Sequence, residues 1–425
     1  MLLEFTTANY RSFRDRVTLS LVASRDDSLE DENVGTESSY RAIRAASIYG
    51  SNGSGKSNLL SAIGRMRRWV LNSSKDSQQG EQIPVSPFRL NTQTESAASL
   101  FEAVFLVGAQ KYRYGFEATT AGVLSEWLLV QADSIRETTL FVRKDGQIKP
   151  GTEFPEGKGL EERTRPNALF LSVAAQFNGK IASKVVAWFE SIRIMSGLQE
   201  GPPTRFTAEA LGNPTNRAII REMVRQADIG IEDIQERETD PAQLQLAFPP
   251  EIPESMRERI IEDMRRPALK TYHRKFDGDR RTEELVEFDL SRDESAGTKK
   301  FVQLLGPFLD TLERGSLLVV DEFEARLHPK LSRTLVRLFN STVNQKNAQL
   351  VFASHDPGLL NPRYLRRDQV WFVEKAESGA SSLYPLSDFS VRKGSLFEKE
   401  YLAGEFGAVP HLGDMQEVLL RAPKE

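Results

Sequence analysis

Gly50-Ser51-Asn52-Gly53-Ser54-Gly55-Lys56-Ser57 is the stretch on which the reading of this chain turns. It fits G-x-x-x-x-G-K-[ST], the pattern of a loop that cradles phosphate with backbone N–H groups. Glycine allows those groups to turn toward an anion with no Cβ in the way. In such a loop Lys56 reaches the β- and γ-phosphates and the Ser57 hydroxyl holds Mg²⁺. The flanks agree with this. Ala45-Ala46-Ser47-Ile48-Tyr49 reads as a short buried strand. Asn58 to Trp69 reads as a helix with Leu59, Leu60, Ile63 and Met66 on one face.

The chain has 425 residues, more than one typical domain, so two or more units are expected. Its 39% hydrophobic and 27% charged residues are ordinary for a globular protein. A net charge of −4 gives no global basicity, so any nucleic-acid surface must be local. With no cysteine, disulfides, zinc–cysteine sites and thiol catalysis are excluded. The N-terminus lacks a charged segment followed by an apolar one, and no apolar run is long enough to span a bilayer. The expectation is a cytoplasmic protein with no membrane partner.

Three parts follow along the chain. Residues 1–143 are expected to form the N-terminal part of a nucleotide-binding head. Leu2 to Phe5 and Val17 to Leu21 read as a hairpin through Asn9 to Phe13, and β-like runs from Leu100 to Val142 suggest an antiparallel sheet beside the nucleotide core. Residues 144–284 read as a mostly helical insertion, with helices over Leu169 to Phe177, Ile181 to Ile194 and Asn216 to Ala227. Its end, Arg265 to Arg281, is basic. It reads either as a docking surface for nucleic acid or a partner, or, more plainly, as a solvated hairpin. Residues 285–425 complete the head.

The rest of the nucleotide site is spelled out in that third part. Ser316 to Val320 is an apolar strand that runs into Asp321 and Glu322. Asp321 is placed to support Mg²⁺. Glu322, one residue on, is the natural base for an attacking water. Gln349 to Ser354 is another buried strand, and His355 at its end can donate to a phosphate or hold that water. Upstream, Glu294-Ser295-Ala296-Gly297-Thr298 opens an amphipathic helix carrying Phe301, Leu304, Leu305 and Phe308. A small-residue loop at a helix N-terminus suits an anion. Here it reads best as completing the nucleotide site of a second copy of the chain.

Taken in order, these motifs resemble the ATPase heads of the ABC superfamily, in the RecF, SMC and overcoming-lysogenization-defect branch. Leu327-His328-Pro329 belongs to the same series, and the segments Arg366 to Lys375 and Tyr401 to Pro410 are most similar to stand-alone bacterial AAA-family ATPases of anti-phage and abortive-infection systems. The resemblance implies an α/β ABC-type head: a mixed sheet with the phosphate loop, and an antiparallel β subdomain. It implies that Asn52, Gly53, Gly55, Lys56, Ser57 and Asn58 bind ATP, with Ser295 and Gly297 contributing from the opposite subunit. Ser57 and Asp321 then hold Mg²⁺, Glu322 is the base and His355 the switch histidine. Two points depart from the pattern. The signature loop is Ser-Ala-Gly-Thr where transporters have Ser-Gly-Gly-Gln, and no glutamine is assigned to complete the metal shell.

The function this implies is an Mg²⁺-dependent ATPase that senses or regulates in anti-phage defence. It would form a homodimer through its ATP sites and control a separate effector, a nuclease. The chain is expected to have no nuclease site of its own: no Asp-x-Asp follows Leu365, and His273, His328, His355 and His411 are scattered. Nucleic acid stays open as a partner. The alternative is a RecF-like DNA-binding repair ATPase.

Overall fold

In the computed structural model, residues 1–75, 78, 80–132, 136–196, 202–237, 268–390 and 396–410 are described. The phosphate-loop strand Ala45–Tyr49 lies inside a six-stranded sheet. The sheet order is Arg193–Ser196, Leu317–Asp321, Gln349–Ala353, Ala45–Tyr49, Val370–Lys375 and Ser381–Pro385. The first five strands are parallel, and Ser381–Pro385 pairs antiparallel with its neighbour.

Each central strand is buried on both faces, and strand alternation sorts its side chains between two cores. Ala46, Ile48, Val319, Val351, Ala353 and Val373 face one core. Ala45, Tyr49, Leu318, Val320, Leu350, Phe352 and Phe372 face the other. The first core is closed by helix Lys56–Asn72, whose Leu59, Leu60, Ile63, Met66 and Val70 are buried. Burying each such side chain contributes about 1.5–3 kcal/mol.

On its far side this helix meets a seven-stranded antiparallel sheet, with Trp69 edge-on to Phe116 at 4.9 Å. That sheet starts from Leu2–Ala8 paired with Val17–Ser20 and continues through Ser99–Val107, Gln110–Ala118, Val123–Gln131, Thr138–Lys144 and Gln147–Pro150. Gln349 fastens the two sheets together. Its side chain accepts from Leu2 N at 2.6 Å and donates to Leu2 O and Ile43 O at 3.0 and 3.1 Å. The second core is covered by helix Ala296–Arg314, through Phe301, Leu304, Leu305 and Phe308, and by helix Pro329–Phe339. Among the described residues no helix is long and apolar enough to cross a membrane.

The mixed α/β head is therefore as expected, but the expected insertion at 144–284 is drawn differently. Gln147–Pro150 is the edge strand of the antiparallel sheet. Helices Phe170–Gln176 and Lys180–Ser191 belong to the first core. The helix expected to reach Ile194 stops at Ser191, because Arg193–Ser196 pairs in parallel with Leu318 to Asp321. Helices Pro202–Gly212 and Pro214–Gln226 follow, then a three-stranded antiparallel sheet of Ile231–Arg237, Ala268–Asp277 and Arg280–Asp289. Among the described residues of this segment, helix thus alternates with strand.

The basic run lies in that sheet's hairpin, and four of its cations are paired close by. Lys270 meets Asp289 at 3.0 Å, Lys275 meets Glu284 at 2.9 Å, and Arg274 and Arg281 share Glu232 at 3.0 and 2.7 Å. Arg265 and Arg266 lie outside the described residues, as does His411.

Candidate nucleotide site

The loop from Gly50 to Ser57 lies between the strand Ala45–Tyr49 and the helix Lys56–Asn72, as the motif requires. Gly53 and Gly55 have φ of 75° and 121°, conformations that L side chains rarely adopt. At Gly55 the packing adds a second demand. A Cβ there would lie 2.6 Å from both Ser12 Oγ and Ser381 Oγ. Ser381 Oγ in turn donates to Ser54 O at 2.5 Å, so the loop is clamped from the antiparallel edge strand.

Lys56 is buried, and its Nζ donates to Gly50 O at 2.8 Å and Ser51 O at 3.1 Å. Burial lowers its pKa to about 8, partly offset by the carboxylates of Asp321, Glu324 and Glu322. Asn58 bridges the loop to the turn after the first strand. Its Nδ2 donates to Ser12 Oγ at 2.8 Å, and its Oδ1 accepts from Arg11 Nη1 at 3.3 Å.

Asp321 ends the strand Leu317–Asp321, and its Oδ1 is buried without a hydrogen-bond partner. An orphaned buried carboxylate oxygen is costly unless something cationic answers it. Beside Lys56 and Ser57, this donor set fits Mg²⁺ with a phosphate. Glu322 follows with φ of 50°, a left-handed conformation that costs a non-glycine residue about 1 kcal/mol or more and gathers at functional sites.

His355 is held by its backbone, whose N–H donates to Glu324 Oε1 at 2.5 Å. His355 is exposed at the cavity wall, but partial desolvation there, followed by the charge of Lys56, lowers the imidazole pKa, so the ring is neutral at neutral pH. Asn52, Gly53, Gly55, Lys56, Ser57, Asn58, Asp321, Glu322 and His355 line one cavity of about 370 Å³. Its floor is a loop of backbone donors and its far wall is acidic, an arrangement that suits a polyphosphate with a cation.

Ser295 and Gly297 do not line that cavity. Ser295 caps helix Ala296–Arg314, accepting from Thr298 N at 3.1 Å, and is exposed. Gly297 packs against the loop after the strand-end acids, where a Cβ would lie 2.7 Å from Arg326 O.

The sequence reading assigned no role to Glu324 or Ser381. Glu324 follows two residues after Glu322, but its bond to a residue 31 positions on carries no local signal. The contact of Ser381 depends on strand pairing. Glu374, in the strand Val370–Lys375, accepts from Tyr384 OH at 3.2 Å and Ala408 N at 3.3 Å.

Strand, glycine loop, helix and strand-end acid around one cavity define a phosphate-loop nucleotide-binding protein. Residues 45–361 match the family described as "AAA domain, putative AbiEii toxin, Type IV TA system". The chain belongs to that family. No curated protein matches it.

Among solved structures it is similar to the SMC head domain from Thermotoga maritima, at 15% identity and a TM-score of 0.41, covering 90% of this chain and 98% of the other. It is also similar to an SMC head bound to the C-terminal winged-helix domain of ScpA, at 11% identity and a TM-score of 0.42, covering 92% and 98%. For the recombination mediator RecF the values are 12% and 0.28, covering 90% and 98%.

Proposed function

We propose that this chain binds and hydrolyses MgATP at sites completed by a second copy of itself, as ABC-type heads do. We propose further that the open–closed cycle regulates a separate nuclease effector in anti-phage defence. The observation that carries the reading is the division of the site. One chain supplies the phosphate loop and acids around the 370 Å³ cavity, while its Ser295–Gly297 loop, an exposed helix N-terminus, stays outside that cavity. An anion-binding element turned to solvent suits a nucleotide held by another chain.

In this reading Ser57 and Asp321 hold Mg²⁺, which neutralises developing phosphate charge when bound. Lys56 exchanges its loop carbonyls for phosphate oxygens. Glu322 accepts a proton from the attacking water, and neutral His355 orients that water or the terminal phosphate. Because these contacts exist only in the closed pair, ATP favours closure and hydrolysis releases it.

The three-stranded sheet supports a regulatory role. Thr271 Oγ1 and His273 Nε2 both meet Glu294, the residue just before the signature loop, the latter at 2.7 Å. On the same hairpin Phe276 and Leu285 are exposed, apolar side chains suited to a partner.

The test is Glu322→Gln with saturating MgATP, followed by light scattering. A dimer that forms without turnover is expected. A chain that stays monomeric removes the composite site.

A further inference from the structure

A larger cavity, of about 560 Å³, adjoins the nucleotide cavity along the outer face of helix Lys56–Asn72. Ser57 and Asp321 are common to both. Its wall carries Arg11, Arg65, Arg67, Arg68 and Arg193. Arg65 and Arg68 also line a third cavity, of about 290 Å³, which continues past Trp69 to Asn72. From Ser57 to Asn72 the helix advances about 22 Å at about 1.5 Å per residue. The two cavities make a trough of that length, with one end at the nucleotide site.

Little negative charge answers these arginines. The carboxylates on the walls are Asp321 at one end and Glu81 at the other. Arg193 pairs with Asp310 at 3.2 Å. Arg67 donates to the carbonyls of Phe189 and Glu190, at 3.1 and 3.3 Å, and not to a carboxylate. Among the described residues Arg11, Arg65, Arg67 and Arg68 form no ion pair. Burial and repulsion from Arg193 lower the pKa of Arg67, with Glu190 opposing the shift and Arg68 adding to it. Like charges gathered this way are stabilised by an external anion.

The wall also carries a ring. Phe206 is 38% exposed, with the Arg193 guanidinium 5.5 Å from its centroid.

We propose that this trough binds a single-stranded nucleic acid, with phosphates on the arginines and a base against Phe206 and Arg193. Basic grooves with a stacking ring suit an unpaired strand, whose bases present free faces. The length of the trough suits several nucleotides, where a mononucleotide would leave most of the arginines unanswered. The shared wall at Ser57 and Asp321 makes strand and ATP neighbours, so each is expected to change the affinity of the other.

The test is fluorescence anisotropy of the full chain with labelled oligothymidylate, oligouridylate and a DNA duplex, each of about 20 nucleotides. At least one single strand is expected to bind, and whichever does identifies the source as DNA or RNA. Each phosphate contact adds about −0.7 to the slope of log affinity against log salt, so four or five arginines give about −3. Arg65→Ala with Arg68→Ala is expected to flatten that slope by about 1.4. The charge-reversed pair, Arg65→Glu with Arg68→Glu, is expected to weaken strand binding about tenfold or more. Both pairs lie on a helix surface outside the ATP machinery, so circular dichroism and ATP affinity are expected to match the unaltered chain. The proposal is overturned if neither strand binds, if the altered chains bind strand normally, or if duplex binds as tightly as single strand. Displacement by tripolyphosphate at equal phosphate concentration overturns it too, in favour of a compact polyanion site.

Discussion

Glu324 offers the sharpest test of the site, because it acts on His355 without lining the nucleotide cavity. Its Oε1 accepts the His355 backbone N–H at 2.5 Å, while its Oε2 is buried and unpartnered. A hydrogen bond to a charged group contributes about 1.5–3 kcal/mol. If Glu324→Ala loses all of it in the transition state, kcat falls about 10- to 150-fold, at about 1.4 kcal/mol per decade. Glu324→Gln keeps a neutral bond of about half the strength, so a loss of roughly three- to tenfold is expected. KM for ATP is expected to change little, since no phosphate contact is removed. Thermal stability is also expected to hold, because His355 is exposed and water can take the freed N–H. The assay is steady-state ATP turnover in a double-mutant cycle with His355→Ala. If Glu324 works by holding His355, the double variant is no slower than His355→Ala alone. Multiplicative losses, or a raised KM at unchanged kcat, refute the reasoning.

Lys56→Ala is expected to abolish ATP binding measured with a fluorescent analogue, and unchanged affinity would contradict the phosphate-loop assignment. Gly297→Ala forces a Cβ against Arg326 O, where overpacking costs about 1–3 kcal/mol. A lowered melting temperature and weakened ATP-dependent dimerisation are expected, and a normal dimer at normal stability would show that the contact has slack. Asp289, hydrogen-bonded by Ser291 and Lys270, has its pKa lowered to about 2. A depressed carboxylate supports the fold above its ordinary pKa near 4, and that support is lost as pH falls toward 2. Asp289→Asn should therefore narrow the stability difference between pH 5 and pH 2 in chemical denaturation, and an unchanged difference would assign the acid sensitivity elsewhere.

How much of this could be read from the chain follows from how far apart the interacting residues lie. The phosphate loop is contiguous, and its strand and helix are its immediate neighbours, so the motif and its frame appear together. The apolar run before Asp321 is equally local. Arg193–Ser196 is different. Alone it continues the pattern of helix Lys180–Ser191, and only pairing with a strand more than 100 residues later makes it extended. The clamp of Ser381 on Ser54 and the Gln349 staple on Leu2 share that character. Each is a polar side chain in an ordinary strand whose partner is chosen by tertiary packing. The basic run at Lys270 to Arg281 is the hairpin the plainer reading expected, but its acids sit across the hairpin or on the adjoining strand, so linear charge density overstates surface charge.

The same long-range contacts bear on how two sites in a closed pair would influence each other. Gly297 and Ser295, proposed to serve the partner's nucleotide, head a helix pressed onto the loop Glu322 to Arg326. From that helix Lys300 is buried near Arg326, Glu322 and Glu324, its pKa lowered to about 8 chiefly by burial. On its other side the loop holds His355 through Glu324. Its ends are left-handed, with φ of 50° at Glu322 and 65° at Arg326, conformations maintained only by their surroundings. A segment so constrained has few ways to yield. Force on Ser295 from the partner's ATP, or on Glu294 through Thr271 and His273, would reach Glu322, the proposed base, and His355, the proposed switch, of the same chain. In this scheme closure, hairpin docking and hydrolysis act on the same five residues.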